Sequence, residues 1–87
     1  MDTNTFDGMT DEELDQLEAR LRAATPGPWV SYVEGRDHDS GSSFIQTLAG
    51  DFELSGATVA DQDFIAHARE DLPKLLMEVR RSRAAAV

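Results

Sequence analysis

No helix can run through Pro26-Gly27-Pro28, so this segment divides the chain into a part that ends before it and a part that starts anew after it. The residue before a proline resists the α region, which stops any preceding helix at Thr25. Upstream, Thr10-Asp11-Glu12-Glu13 has the pattern of a capping box, in which the Thr10 hydroxyl and the Glu13 carboxylate each bond the other residue's backbone N–H. Met9 and Leu14 sit where a hydrophobic staple would hold the chain entry. Acids crowd the first turn and Arg20 and Arg22 the last, as the helix dipole favours. Leu14, Leu17, Leu21 and Ala24 form one narrow apolar stripe at helical spacing.

Downstream, Trp29-Val30-Ser31-Tyr32-Val33 is β-branched or aromatic except at Ser31, which predicts a strand anchored in the core by Trp29. Phe44-Ile45-Gln46-Thr47-Leu48 and Phe52-Glu53-Leu54 flank Ala49-Gly50-Asp51, a β-hairpin pattern. Phe44, Leu48, Phe52 and Leu54 are assigned to the buried face. Tyr32, Ile45 and Thr47 are assigned to the open one, and a slip of one residue would exchange the two sets.

The last third reads as helical. Thr58-Val59-Ala60-Asp61 resembles a capping box, and Phe64, Ile65, Ala68 and Leu72 recur at helical spacing. Pro73 conflicts with an undisturbed helix interior, so a second helix is expected to start at Asp71 with Pro73 in its first turn. Leu75, Leu76 and Val79 continue the apolar face, with fraying expected from Ser82 to Val87. The expectation is one α+β domain over 1–87 in the order α-β-β-β-α-α, a small three-stranded antiparallel sheet with an N-terminal helix and a C-terminal helix pair, flexible at 1–8 and 83–87.

Charge narrows the function. The net charge is −9. Residues 1–25 hold seven acids and two bases, 26–58 five acids and one base, and 59–87 five of each. Such a field repels nucleic acid and anionic membrane, so neither is an expected partner. The simplest use of the charge is solubility; a sharper one is an acidic face aimed at a basic protein. The absence of cysteine excludes disulfides, thiolate metal sites and cysteine nucleophiles, and fits a cytoplasmic location. The polar opening Met1-Asp2-Thr3-Asn4-Thr5 does not read as a secretory signal, and no apolar run approaches the ~20 residues that span a bilayer.

Glu34 to Ser43 is ten residues without an apolar side chain, longer than most connections in so small a domain. It is a solvated hairpin connection or a functional loop. Asp37, His38 and Asp39 could bind a cation, although neighbouring residues rarely converge on one ion. Gly41, Ser42 and Ser43 with Arg36 could cradle a phosphate, although no dinucleotide or Walker fingerprint is present and the nearby acids oppose an anion. The loop could equally be an epitope for a protein partner. Ser42 or Ser43 with His38 or His67 and an acid could form a hydrolytic set, but no nucleophile elbow marks either serine. His67, beside the apolar stripe, reads as a partly buried packing residue or as a ligand contact shared with the loop. The candidate ligand or partner residues are therefore Arg36, Asp37, His38, Asp39, Ser42, Ser43 and His67. No catalytic residue, metal ligand or cofactor is expected.

Two segments, Ala23-Ala24-Thr25-Pro26-Gly27-Pro28-Trp29 and Asp63-Phe64-Ile65-Ala66-His67-Ala68-Arg69-Glu70-Asp71-Leu72-Pro73-Lys74-Leu75-Leu76, resemble small, largely uncharacterised proteins of bacteria and their phages. The first also resembles the opening of Ead/Ea22-like phage proteins, which share a "FIA" helix near their end. The centre, Gly35-Arg36-Asp37-His38 with Gly41-Ser42-Ser43-Phe44-Ile45, looks more like the bacterial group. The resemblance implies an accessory gene of a bacterium or mobile element and transfers no activity.

The function expected from these features is non-catalytic binding of a protein partner, as by an inhibitor or immunity-like protein. The alternatives are a binder of a phosphorylated metabolite or nucleotide, and a small hydrolase. An open sheet face and more apolar helix surface than one sheet covers also predict a homodimer through the sheet or the C-terminal helix.

Overall fold

In a computed structural model that describes residues 8–86, Thr10 starts the first helix as its sequence requires. The expectations for the polar opening at residues 1–7 and for Val87 lie outside the described residues. The Glu13 N–H donates to Thr10 Oγ1 at 3.0 Å, and the Thr10 N–H donates to Glu13 Oε1 at 2.8 Å. Helix α1 spans Asp11–Ala23 and buries Leu14, with Leu17, Leu21 and Ala24 half-buried along the same stripe. After the cis Gly27–Pro28 peptide, Trp29 holds the turn to the strand: its indole N–H donates to the Thr25 carbonyl at 3.0 Å. Its ring meets Phe52 edge-on at 5.4 Å. Trp29 is half-buried, so it seals the rim of the core and does not sit at its centre.

Strands β1 (Val30–Tyr32), β2 (Phe44–Thr47) and β3 (Gly50–Phe52) form one antiparallel sheet in the order β1-β2-β3. The register pairs Ser31 with Ile45 and Ile45 with Phe52, so these three share the face toward the helices. Tyr32 pairs with Phe44, and the two rings stack at 5.3 Å on the outer face.

This reverses the expected assignment of Phe44 and Ile45. Ile45 is completely buried, and Leu48, expected inside, is 77% exposed. The turn is the cause. It lies at Leu48-Ala49 and not at Ala49-Gly50-Asp51, because Thr47 pairs with Gly50. The Thr47 hydroxyl donates to the Gly50 carbonyl at 2.8 Å and accepts from the Ala49 N–H at 3.0 Å. Gly50 takes φ +129°, a conformation that side chains resist.

A single helix, α2, spans Val59–Ala85 and replaces the expected pair, with Pro73 inside it. Its N-terminus is as expected: Thr58 Oγ1 accepts from Asp61 N at 3.0 Å and the Thr58 N–H donates to Asp61 at 3.1 Å. An interior proline costs about 3 kcal/mol. Contacts with α1 on both sides of Pro73 offset that cost. On the N-terminal side, Arg69 donates to the carbonyls of Thr25 (2.9 Å) and Leu21 (3.2 Å), satisfying acceptors left open at the end of α1. On the C-terminal side, Arg80 bonds Asp15 (3.0 Å) and Glu18 (2.9 Å), and Arg83 bonds Asp11 (3.1 Å) and the Met9 carbonyl. Those last contacts carry the helix through the stretch from Ser82 where the sequence predicts fraying. No helix among the described residues is long and apolar enough to cross a membrane.

The resulting core is small. Its buried apolar residues are Leu14, Val33, Ile45, Ala66 and Leu76, in a molecule measuring 52 × 30 × 18 Å. The long dimension follows from α2, whose 27 residues rise about 40 Å.

Candidate functional site

The loop from Glu34 to Ser43 is folded on itself. Asp37 Oδ2 accepts from the Val33 N–H at 2.8 Å, while the Arg36 and Asp37 N–H groups return to the Val33 carbonyl. Gly35 makes this tight reversal possible by taking φ +83°. Farther on, the Gly41 N–H donates to Glu34 Oε1 at 2.6 Å, and the Glu34 N–H donates to Ser43 Oγ at 3.1 Å. The predicted loop residues then part company. Asp39 stays exposed and Ser42 is half-buried.

His38 turns onto the outer face of the sheet, 5.2 Å from the Phe44 ring and 6.5 Å from Tyr32, with its side chain only 18% exposed. Its Nδ1 accepts from the Ser40 N–H at 3.0 Å. That bond assigns the proton of the neutral ring to Nε2, which is buried against the aromatic pair without a hydrogen-bond partner among the described residues. His38 is thus a packing residue of the outer face.

Arg36 takes the other direction and latches the loop to α2. Its guanidinium forks onto both oxygens of Asp63 (2.8 and 3.1 Å) and bonds Asp37 Oδ2 as well. The Arg36 bond holds the Asp63 carboxyl well below the usual carboxylate range, at about 2, with the Ser31 hydroxyl adding to the effect. Arg36 and then the Val33 N–H lower the Asp37 carboxyl in the same way, and the guanidinium's own pKa is raised by the two carboxylates. His67 lies one turn along, with Nδ1 2.8 Å from the Asp63 carbonyl.

Arg36, Asp37 and His67 therefore gather around Asp63, and His38, on the outer face, does not join them. A phosphate at this loop would have to displace two carboxylates from Arg36 and a third from the Gly41 N–H. His67 is exposed, contrary to the partly buried packing role that is one of the two readings of it.

The largest departure from expectation is on α2 itself. Its inward face buries Gln62, Ala66 and Leu76, with Ala66 at 2% exposure. The Gln62 amide donates to Ser31 Oγ (2.9 Å), the Tyr32 carbonyl (3.2 Å) and the Phe44 carbonyl (3.1 Å), so it ties the helix to β1 and β2. Phe64 (74% exposed), Leu72 (38%) and Leu75 (59%), expected in the core, point away from it. With Ala60 and Ala68 they line an open hollow of about 630 Å³ rimmed by Asp63, His67 and Asp71. On its other side Phe64 borders a second hollow of about 560 Å³, walled by Leu54, Ile65 and the Ser55-Gly56-Ala57 turn.

Two side chains that shape this region, Gln62 and Asp63, do not stand out as site residues in the sequence. The available signal for Gln62, which is flanked by Asp61 and Asp63, is its place one helical turn before Ala66. Comparison with protein-family models, curated proteins and solved structures finds no match.

Proposed function

We propose that this chain is a non-catalytic accessory protein of a bacterium or phage that acts by binding a protein partner, in the manner of an inhibitor or immunity-like protein, and that the outward face of α2 makes the contact. The observation that carries this reading is the cluster of Phe64, Leu72 and Leu75, large apolar side chains held side by side in solvent on a rigid helix. Contiguous exposed apolar surface ringed by polar groups is the signature of a protein contact. The rim of Asp63, His67 and Asp71 supplies that ring. The segment's resemblance to bacterial and phage accessory proteins supports the same reading. Arg36, the loop's own cation, is already occupied by two carboxylates, which weighs against an anionic ligand there.

Affinity capture from the native host, comparing the wild-type chain with Phe64→Asp/Leu75→Asp, tests the proposal. The expected result is a partner retained by the wild type and lost at least ~10-fold in the variant, a factor equal to about 1.4 kcal/mol, with both proteins equally folded by circular dichroism. Equal retention by both chains would overturn it.

A further inference from the structure

We infer that the outward face of α2 pairs with the same face of a second copy, the two helices antiparallel about a two-fold axis that passes beside the Arg69–Glu70 step. The inference rests on the reading of this face as a binding surface and names what covers it in the purified protein, where the host partner is absent.

Antiparallel helices place side chains opposite one another when their residue numbers have a nearly constant sum. With the axis at Arg69–Glu70, Phe64 lies opposite the second copy's Leu75, and Ala68 opposite the second copy's Leu72. Ala60 lies opposite the second copy's Val79. Large side chains thus face small ones near the axis, which suits interdigitation of two closely packed helices. From Ala60 to Val79 the seam runs about 28 Å, and it covers Phe64, Leu72 and Leu75, three of the five large apolar side chains of α2 that the fold leaves exposed; Val59 and Met77 lie away from it.

The charges agree with the same axis. The first half of α2 carries Asp61, Asp63, Glu70 and Asp71 against one base, Arg69, and the second half Lys74, Arg80, Arg81 and Arg83 against one acid, Glu78. Arg80 and Arg83 are turned inward onto α1, which leaves Lys74 and Arg81 as the outlying cations. Antiparallel pairing sets the acidic half against the basic half, and a parallel pair would oppose like charges. Lys74, whose side chain is 72% exposed with its ammonium 3.5 Å from Glu70, comes opposite Asp63 of the second copy. Asp71, which has no ion-pair partner among the described residues, comes opposite the second copy's His67.

The axis also solves the problem of net charge. All of the excess −9 lies in residues 1–58, and residues 59–87 are balanced. Because α1 packs on the inward side of α2, pairing through the outward side keeps the acidic helices of the two copies apart.

A charge-swap series read by light scattering tests the pairing. The wild-type chain should rise from 9.6 kDa toward twice that mass as concentration climbs to ~1 mM. Phe64→Glu alone and Leu75→Lys alone should each stay at the lower mass. An equimolar mixture of the two single variants, and the Phe64→Glu/Leu75→Lys double variant, should regain the dimer, because the introduced carboxylate of one copy then meets the introduced ammonium of the other. Ala68→Cys, the only thiol in such a chain, should form a disulfide-linked dimer on oxidation, and Met77→Cys on the opposite side of α2 should not. A folded wild type that remains at 9.6 kDa at every concentration overturns the pairing. So does a charge-swapped mixture that stays monomeric while the wild type dimerises. If the pairing fails in this way while Phe64→Asp/Leu75→Asp still loses a captured host protein, the partner reading survives without it. If neither is seen, both fall.

Discussion

The two faces of α2 invert the usual division of labour between polar and apolar residues. Its inward face buries a glutamine beside Ala66 and Leu76, and its outward face exposes a phenylalanine and two leucines. The inward glutamine is satisfied by three acceptors on β1 and β2 and positions the helix on the sheet. The outward residues are 38–74% exposed. Inward residues therefore maintain the fold, and outward ones are available for contact with another molecule.

The largest effect that separates the faces is expected at neighbouring leucines. Leu76→Ala should cost about 2–5 kcal/mol in urea unfolding, because it empties part of a small core. Leu75→Ala, one residue away and 59% exposed, should change the stability of the dilute monomer by less than about 0.5 kcal/mol. Comparable losses at the two positions would break the comparison.

A smaller contrast sharpens it. Gln62→Met preserves volume but removes the donor to Ser31 and two backbone carbonyls, and should cost about 1–3 kcal/mol. Phe64→Ala removes a far larger side chain and should cost less than Gln62→Met in the dilute monomer.

The smallest effect belongs to the latch between the loop and α2. The Asp63 carboxyl is lowered to about 2 by Arg36, so the ionised form is favoured in the fold. A lowered carboxyl stabilises above its unfolded value of about 4, and that contribution is lost as pH falls from there through about 2. Acid unfolding of the wild type should therefore show a steeper loss across that window than Asp63→Asn, which lacks the titrating group. Identical pH profiles would remove the latch from the account.

Helix caps and the proline break were legible because they depend on neighbours in sequence. Thr10 with Glu13 and Thr58 with Asp61 form the expected reciprocal bonds. The three-stranded antiparallel sheet followed from two apolar runs and a turn. Its facing did not, because Phe44 and Ile45 are adjacent and apolar and a period of two accepts either one inside. The position of the turn decided between them, through hydrogen bonds of Thr47 that no propensity records. Pro73 misled for a related reason: local cost argued for a break, and ion pairs from Arg80 and Arg83 to residues more than sixty positions away kept one helix.

Of the candidate site, the loop's unusual length was visible, but its partition was not. Arg36 reaches α2 and His38 reaches the outer sheet face through contacts set by the folded backbone. The apolar stripe of Phe64, Leu72 and Leu75 is legible as one surface, yet its assignment to the core fails, because helical periodicity shows that a face is apolar without showing what covers it.

Hydroxyl-radical footprinting in the native host, compared with dilute purified protein, tests most directly whether the outward face of α2 is a contact surface. Leu48 and Met77, 77% and 72% exposed and away from that face, serve as references for free solvent access. Phe64 and Leu75 should be modified readily in dilute solution and protected in the cell, with Leu48 and Met77 modified alike in both. Equal modification of Phe64 and Leu75 in the two settings would contradict the claim that this face is covered when the protein works.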